Sequence, residues 1–281
     1  MKYMFLRYPE GKTKAVTLSY DDGHRDDLQL LEIINKYGIK CTFNFTNFSK
    51  ITDEEIEENF FKYGHEIAVH GAEHLAPAMT KASDSIQQII ECRKNLEKRF
   101  NRIIRGMAYP DSGITKFSNG ASYENIRSYL SDLGIVYSRT AGGDNNDFML
   151  PTDWYAWMPT AKHTNPQLFD YIKEFTELDV NNCYCSARYP RLFYLWGHSF
   201  EFSRMNNWDI LEKFCKKISG KDDIWYATNI EIFDYVTAYN SLIFSMDSMM
   251  IYNPTLIKIW FDFGGKLYAI NPGETLHIDE E

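Results

Sequence analysis

The chain has 281 residues, 44% of them hydrophobic and 16% aromatic, enough to bury the core of one large α/β domain or two small ones. Lys plus Arg is 30 and Asp plus Glu is 39, and the net charge of −9 argues against a phosphate-coating, nucleic-acid-binding surface. No stretch approaches the ~20 apolar residues of a membrane span, and MKYMFLRYPEGKTKA has no apolar run of signal-peptide length, so a soluble cytoplasmic protein is expected.

In chain order, Lys14–Tyr20 is short, β-branched and partly alternating, and reads as a strand. Asp26–Tyr37 places apolar residues at helical spacing, with Gly38 where a C-terminal cap belongs. Cys41–Phe45 is a second strand. A helix is expected over Thr52–Tyr63, opened by a Thr52/Glu55 capping box and closed by Gly64. Glu66–His70 (EIAVH) is a third strand, Ser83–Phe100 an amphipathic helix, and Ile103–Tyr109 a fourth strand. Asn125–Leu133 is helical and Ile135–Arg139 strand-like; a polar loop spans Ala141–Pro151. Pro166–Leu178 is a helix, Arg191–Trp196 (RLFYLW) a strong strand and Trp208–Ile218 a helix. Ile224–Thr228 is the last regular strand, before a helix near Glu231–Tyr239.

This alternation implies an α/β fold with a parallel sheet and helices outside. About seven units in this length point to a distorted (β/α) barrel over residues 1–240. Residues 241–281 differ. Leu256–Phe263, Gly264–Gly265 and Lys266–Ile270 read as a hairpin, a small β appendage of the same domain. The five cysteines (Cys41, Cys92, Cys183, Cys185, Cys215) are odd in number and scattered, as expected of free thiols rather than a disulfide framework.

Function gathers at the C-terminal ends of strands in such a barrel. Three polar groups fall there: Asp21-Asp22-Gly23 after the first strand, His70-Gly71-Ala72-Glu73-His74 after the third, and His198 after RLFYLW. His70 and His74 are four apart, within reach of one ion on a turn. Two imidazoles and the Asp22 carboxylate leave coordination positions open, as in a catalytic zinc site. Adjacent strand residues face opposite ways, so Asp21 and Asp22 share a centre only if the chain turns, which Gly23 allows. The same segment fits the H-x-x-E-H protease pattern. That motif needs a continuous helix, whereas here EIAVH precedes, Gly71 interrupts and Pro77 follows.

TLSYDDG, HGAEH, RGMAYP and LWGHSF, in this order, resemble the polysaccharide deacetylase family, the NodB-homology or carbohydrate esterase family 4 domain, over roughly residues 14–240. The resemblance implies metal-dependent removal of acetyl groups from N- or O-acetylated sugars. It implies Asp22, His70 and His74 as metal ligands, Asp21 as general base and His198 as general acid. It also implies an oxyanion contact from the Tyr109 backbone. Elementary chemistry points the same way: a divalent ion polarises an amide carbonyl and lowers the pKa of bound water toward ~7, while a carboxylate takes one proton and an imidazolium gives another. Trp196 is expected to wall the acetyl pocket beside His198. Zinc fits the ligands; cobalt, nickel, iron or manganese suit the same set.

The sequence departs from the family pattern in two places. The third motif, usually Arg-x-Pro-Tyr, has Arg105 and Tyr109 four apart, which leaves the pairing of Arg105 with Asp21 open. The fourth motif supplies an Asp-Trp; Asp153-Trp154 is the best match, with Asp144 and Asp147 competing, while Tyr155 and Trp157 are alternative sugar-stacking residues. The expected partner is an acetylated sugar or oligosaccharide, without nucleic acid or membrane. Two other readings stand: a hydrolase of a small non-sugar amide, and a carbohydrate-binding protein that retains the metal without catalysis. A glycosidase is disfavoured, because no second carboxylate is marked at suitable separation.

Overall fold

A computed structural model describes residues 3–141 and 145–278. The chain runs through strands β1 (Met4–Arg7) and β2 (Lys14–Asp22), helix α1 (Asp27–Lys36), β3 (Cys41–Phe45), α2 (Asp53–Asn59), β4 (Glu66–Val69) and α3 (Ala82–Phe100). It continues through β5 (Gly106–Ala108), α4 (Tyr123–Asp132), β6 (Tyr137–Arg139), β7 (Ala161–Lys162), α5 (Leu168–Glu177) and β8 (Arg191–Gly197). Then come α6 (Ser199–Met205), α7 (Trp208–Ile218), β9 (Ile224–Tyr226), α8 (Asn229–Asn240), β10 (Ile243–Phe244), β11 (Met250–Tyr252), β12 (Ile259–Phe263), β13 (Lys266–Ile270) and β14 (Thr275–His277).

The main sheet is parallel, in the order β6-β5-β4-β3-β2-β8-β7. Its centre is β2, whose residues are buried until Asp22, as expected of a strand covered on both faces. One edge of β2 pairs with β8 along most of its length. The other edge is shared, β9 pairing with Lys14–Val16 and β3 with Leu18–Asp22. Among the described residues no ladder joins β6 to β7. Among them the free edge of β6 pairs only with the Trp157 backbone, whose N–H donates to the Ser138 carbonyl at 3.1 Å and whose carbonyl accepts from the Thr140 N–H at 2.9 Å. The expected barrel is therefore an open, curled half-barrel with helices outside.

Local chemistry sets the element ends. Thr52 and Glu55 make the reciprocal capping box at the start of α2. The segment expected as one helix splits, because α2 ends at Asn59 and a separate 3-10 turn over Phe61–Tyr63 closes on Gly64. Gly64 has φ 73°, a backbone that glycine adopts without a Cβ clash.

The Gly264-Gly265 hairpin joins β12 to β13, and β1 completes that antiparallel sheet. A second small antiparallel sheet, β10-β11-β14, lies beyond the one hairpin that the sequence suggests. Ile251, Ile259, Phe261 and Ile270 form a small core against Ala238 of α8 and Leu242. No helix among the described residues is long and apolar enough to cross a membrane.

Candidate metal centre and active site

Three side chains converge at the C-terminal end of the sheet. Asp22 ends β2, while His70 and His74 follow β4 on a segment with no helix. The absence of a helix removes the protease reading of H-x-x-E-H, and Glu73 is exposed. The Asp22 Oδ1 lies 3.6 Å from His70 Nε2 and 3.4 Å from His74 Nε2. Donors on a tetrahedral ion with ~2.1 Å bonds stand about 3.4 Å apart, so the set fits one divalent ion. One donor atom from each of the three lies within 4.8 Å of the others.

The surroundings prepare these donors. His70 Nδ1 sits 2.9 Å from the Ala108 carbonyl. That contact holds the proton on Nδ1 and leaves the Nε2 lone pair for a ligand. Burial pushes the His70 imidazole below its ordinary pKa, against the pull of Asp21 and Asp22, and so favours the neutral, ligating form. His74 Nδ1 faces Asp111 Oδ1 at 3.6 Å. Asp22 and His74 have φ of 79° and 57°, a left-handed backbone that costs on the order of 1 kcal/mol each away from glycine. The turn expected at Gly23 thus begins one residue earlier, and it brings Asp22 to the same centre as Asp21.

Asp21 is buried and doubly held. Its Oδ2 accepts from Arg139 Nη2 at 2.6 Å and its Oδ1 from Asn44 Nδ2 at 2.8 Å. Burial alone would raise its pKa; Arg139, then His70, His198 and the Asn44 hydrogen bond outweigh it and hold the carboxyl below its usual value. His198 Nε2 stands 3.9 Å from Asp21 Oδ2. The Trp196 ring lies 6.0 Å from the His198 ring and 4.5 Å under the Arg139 guanidinium. A cavity of about 370 Å³ opens beside the triad, lined by Asp22, His24, Thr46, Phe48 and His74 among others.

Six sequence candidates are engaged in other contacts. Arg105 precedes β5 at the far end of the sheet, where its Nη2 pairs with Asp234 at 2.6 Å; Arg139 on β6 holds Asp21 instead. The Tyr109 N–H donates to the Arg139 carbonyl at 3.0 Å and so is committed within the sheet. Asp153 caps the turn that contains Trp154, accepting from the Tyr155 N–H and the Tyr123 hydroxyl, and Trp154 packs on Trp157 and Phe233. Trp157 is 1% exposed, and Tyr155 packs partly buried against the main core with its hydroxyl donating to the Ile135 carbonyl. Asp147 is exposed in its loop, and Asp144 lies outside the described residues. Sequence reasoning missed Asn44, Arg139, Glu201 and its neighbours Lys162 and His163. Polar Asn44 inside apolar CTFNF, and Glu201 three residues after His198, were the available signals.

Residues 8–137 match the family described as polysaccharide deacetylase. No curated protein matches the chain. Among solved structures, a Mycobacterium smegmatis protein provisionally assigned as a polysaccharide deacetylase is 16% identical, with a TM-score of 0.56 over 85% of this chain and 96% of that one. An allantoinase is 12% identical, with a TM-score of 0.52 over 81% of this chain and 91% of that one. A 4-alpha-glucanotransferase from Thermococcus litoralis is 15% identical, with a TM-score of 0.51 over 79% of this chain and 40% of that one. With that match at its N-terminal half, an Asp-His-His metal triad and a curled parallel sheet that presents it, the chain has the polysaccharide deacetylase, carbohydrate esterase family 4, type of fold.

Proposed function

We propose that the protein is a metal-dependent deacetylase of an N- or O-acetylated sugar or oligosaccharide, with zinc as its ion. One observation carries the reading. Asp21, a buried carboxylate held by Arg139 and Asn44, stands beside the Asp22, His70 and His74 triad and 3.9 Å from His198. An ion at the triad supplies Lewis acidity to the acetyl carbonyl and makes water more acidic.

The chain's own groups do the rest. Asp21 accepts the proton released by the attacking water, and Arg139 and Asn44 fix its two oxygens so that it cannot swing away. Because its pKa is held down, the carboxylate is ionised and ready at neutral pH. His198, whose charged form is favoured despite burial by Glu201 and Asp21, donates a proton to the departing nitrogen or oxygen. Trp196 walls the acetyl group, and Phe48, 65% exposed at the cavity, offers an apolar face to a sugar ring.

Asp21→Asn tests the division of labour. It should keep stoichiometric metal, measured by elemental analysis, and lower acetate release by about 10²–10⁴-fold. Loss of metal together with activity would place Asp21 in the ligand set instead. The allantoinase likeness keeps a small non-sugar amide as the second reading; turnover of such amides without acetate release from any sugar would favour it.

A further inference from the structure

We propose that Glu201, held by Lys162 and flanked by His163, is the positioning residue that fixes the His198 ring as proton donor. The inference rests on the deacetylase reading, in which His198 protonates the leaving atom.

Glu201 lies in the first turn of α6, and its backbone N–H donates to the His198 carbonyl at 3.1 Å. An acidic residue there would ordinarily face water and answer the helix dipole. Glu201 is instead 6% exposed. Its Oε1 is 2.7 Å from Lys162 Nζ and 3.6 Å from His198 Nδ1, while its Oε2 is 3.2 Å from His163 Nε2. A buried carboxylate costs several kcal/mol unless its charge is answered, and here Lys162 of β7 answers it, with the His163 ring beside it. The His163 ring is itself fixed, stacked 4.1 Å from Phe202 and 5.8 Å from Tyr20. It lies so close to Gly197 that a Cβ there would collide with it.

Glu201 therefore has little freedom to turn away from His198. The His198 ring is set between two carboxylates, Nδ1 toward Glu201 and Nε2 toward Asp21. The charged and titratable groups around it are Asp21 and Asp22 on β2, Lys162 on β7 with His163 just after it, and Glu201 and Arg204 on α6. In the proton step the Nε2–H bond breaks and the proton joins the leaving nitrogen or oxygen. The imidazole left behind is neutral, with its remaining proton on Nδ1 facing Glu201. Without Glu201 the ring loses the negative charge that faces Nδ1, sets its orientation and favours its protonated form.

The test uses zinc-loaded full-length protein and Glu201→Gln. NMR titration of the His198 ring should show its pKa fall by about one unit. Acetate release from an N-acetylated substrate should drop on the order of 10-fold or more in kcat, with KM and bound zinc unchanged. Its alkaline limb should move to lower pH. Hydrolysis of 4-nitrophenyl acetate, whose leaving group needs no proton, should change less than threefold. Glu201→Asp, which keeps the charge but withdraws the carboxylate, should shift the His198 titration the same way by a smaller amount and keeps the question open to test if Glu201→Gln does not fold. An unmoved His198 titration in either variant, or equal losses on amide and nitrophenyl ester, overturns the proposal. Failure of the wild type to release acetate from any sugar would sink the deacetylase reading, while the NMR result would still decide the Glu201–His198 coupling.

Discussion

Asp21 is 2% exposed, so water does little to stabilise its charge; Arg139 and Asn44 do that instead. Removing one partner of a buried pair leaves the other charge unanswered, at a cost of about 3–5 kcal/mol. Arg139→Met should therefore lower stability by that amount, read from urea unfolding, and lower acetate release as well. Arg105→Met offers the contrast. Its pair with Asp234 is about one-third exposed on each side, so the loss should stay under about 1 kcal/mol with turnover unchanged. The reverse ranking would restore Arg105 as the support of Asp21. The triad able to hold a metal and the neighbouring Asp21 and His198 were legible because Asp21-Asp22, His70, His74 and His198 sit in short local motifs. Arg139 was not, because which strand faces β2 across the half-barrel is set by packing between distant segments. Arg105 misled for a geometric reason: four steps along the strand, at ~3.3 Å each, separate it from Tyr109, and this places it near the opposite end of the sheet from the site.

Elements were legible where periodicity was strong. Cys41–Phe45, Trp208–Ile218 and Lys266–Ile270 have the expected bounds, and the Thr52 box caps α2 as its spacing predicts. β7, with two residues, is too short to carry a period, and β10, β11 and β14 are two or three residues each. The lower end of the sheet holds a further test. Glu66, at the start of β4, accepts from Thr42 at 2.8 Å, Tyr137 at 2.7 Å and the Ile230 N–H at 2.9 Å. Burial outweighs these bonds and raises its pKa from 4.5 to about 7. A carboxyl raised on folding stabilises the fold in its neutral form. That contribution is whole below the unfolded value and is lost as pH rises through about 7. The urea midpoint of the wild type should fall between pH 5 and pH 8 by more than that of Glu66→Gln, which cannot ionise. Parallel falls would place the titration elsewhere.

At the scale of the whole molecule, the strand alternation foretold a parallel α/β sheet, and the Gly-Gly hairpin foretold the appendage. Neither foretold that β1 from the N-terminus completes the appendage sheet, since an antiparallel pairing across more than 250 residues leaves no local trace. The net charge of −9 and the ordered motifs fit a hydrolase with a single metal centre, and the triad is the feature on which every proposed step depends. The most direct test is to load the purified protein with zinc and measure bound metal together with acetate released from a panel of N- and O-acetylated sugars. The account predicts one zinc per chain, acetate release from at least one sugar, and loss of both in Asp22→Asn. Acetate release that is undiminished in metal-free protein, or no stoichiometric metal under any loading, would contradict it.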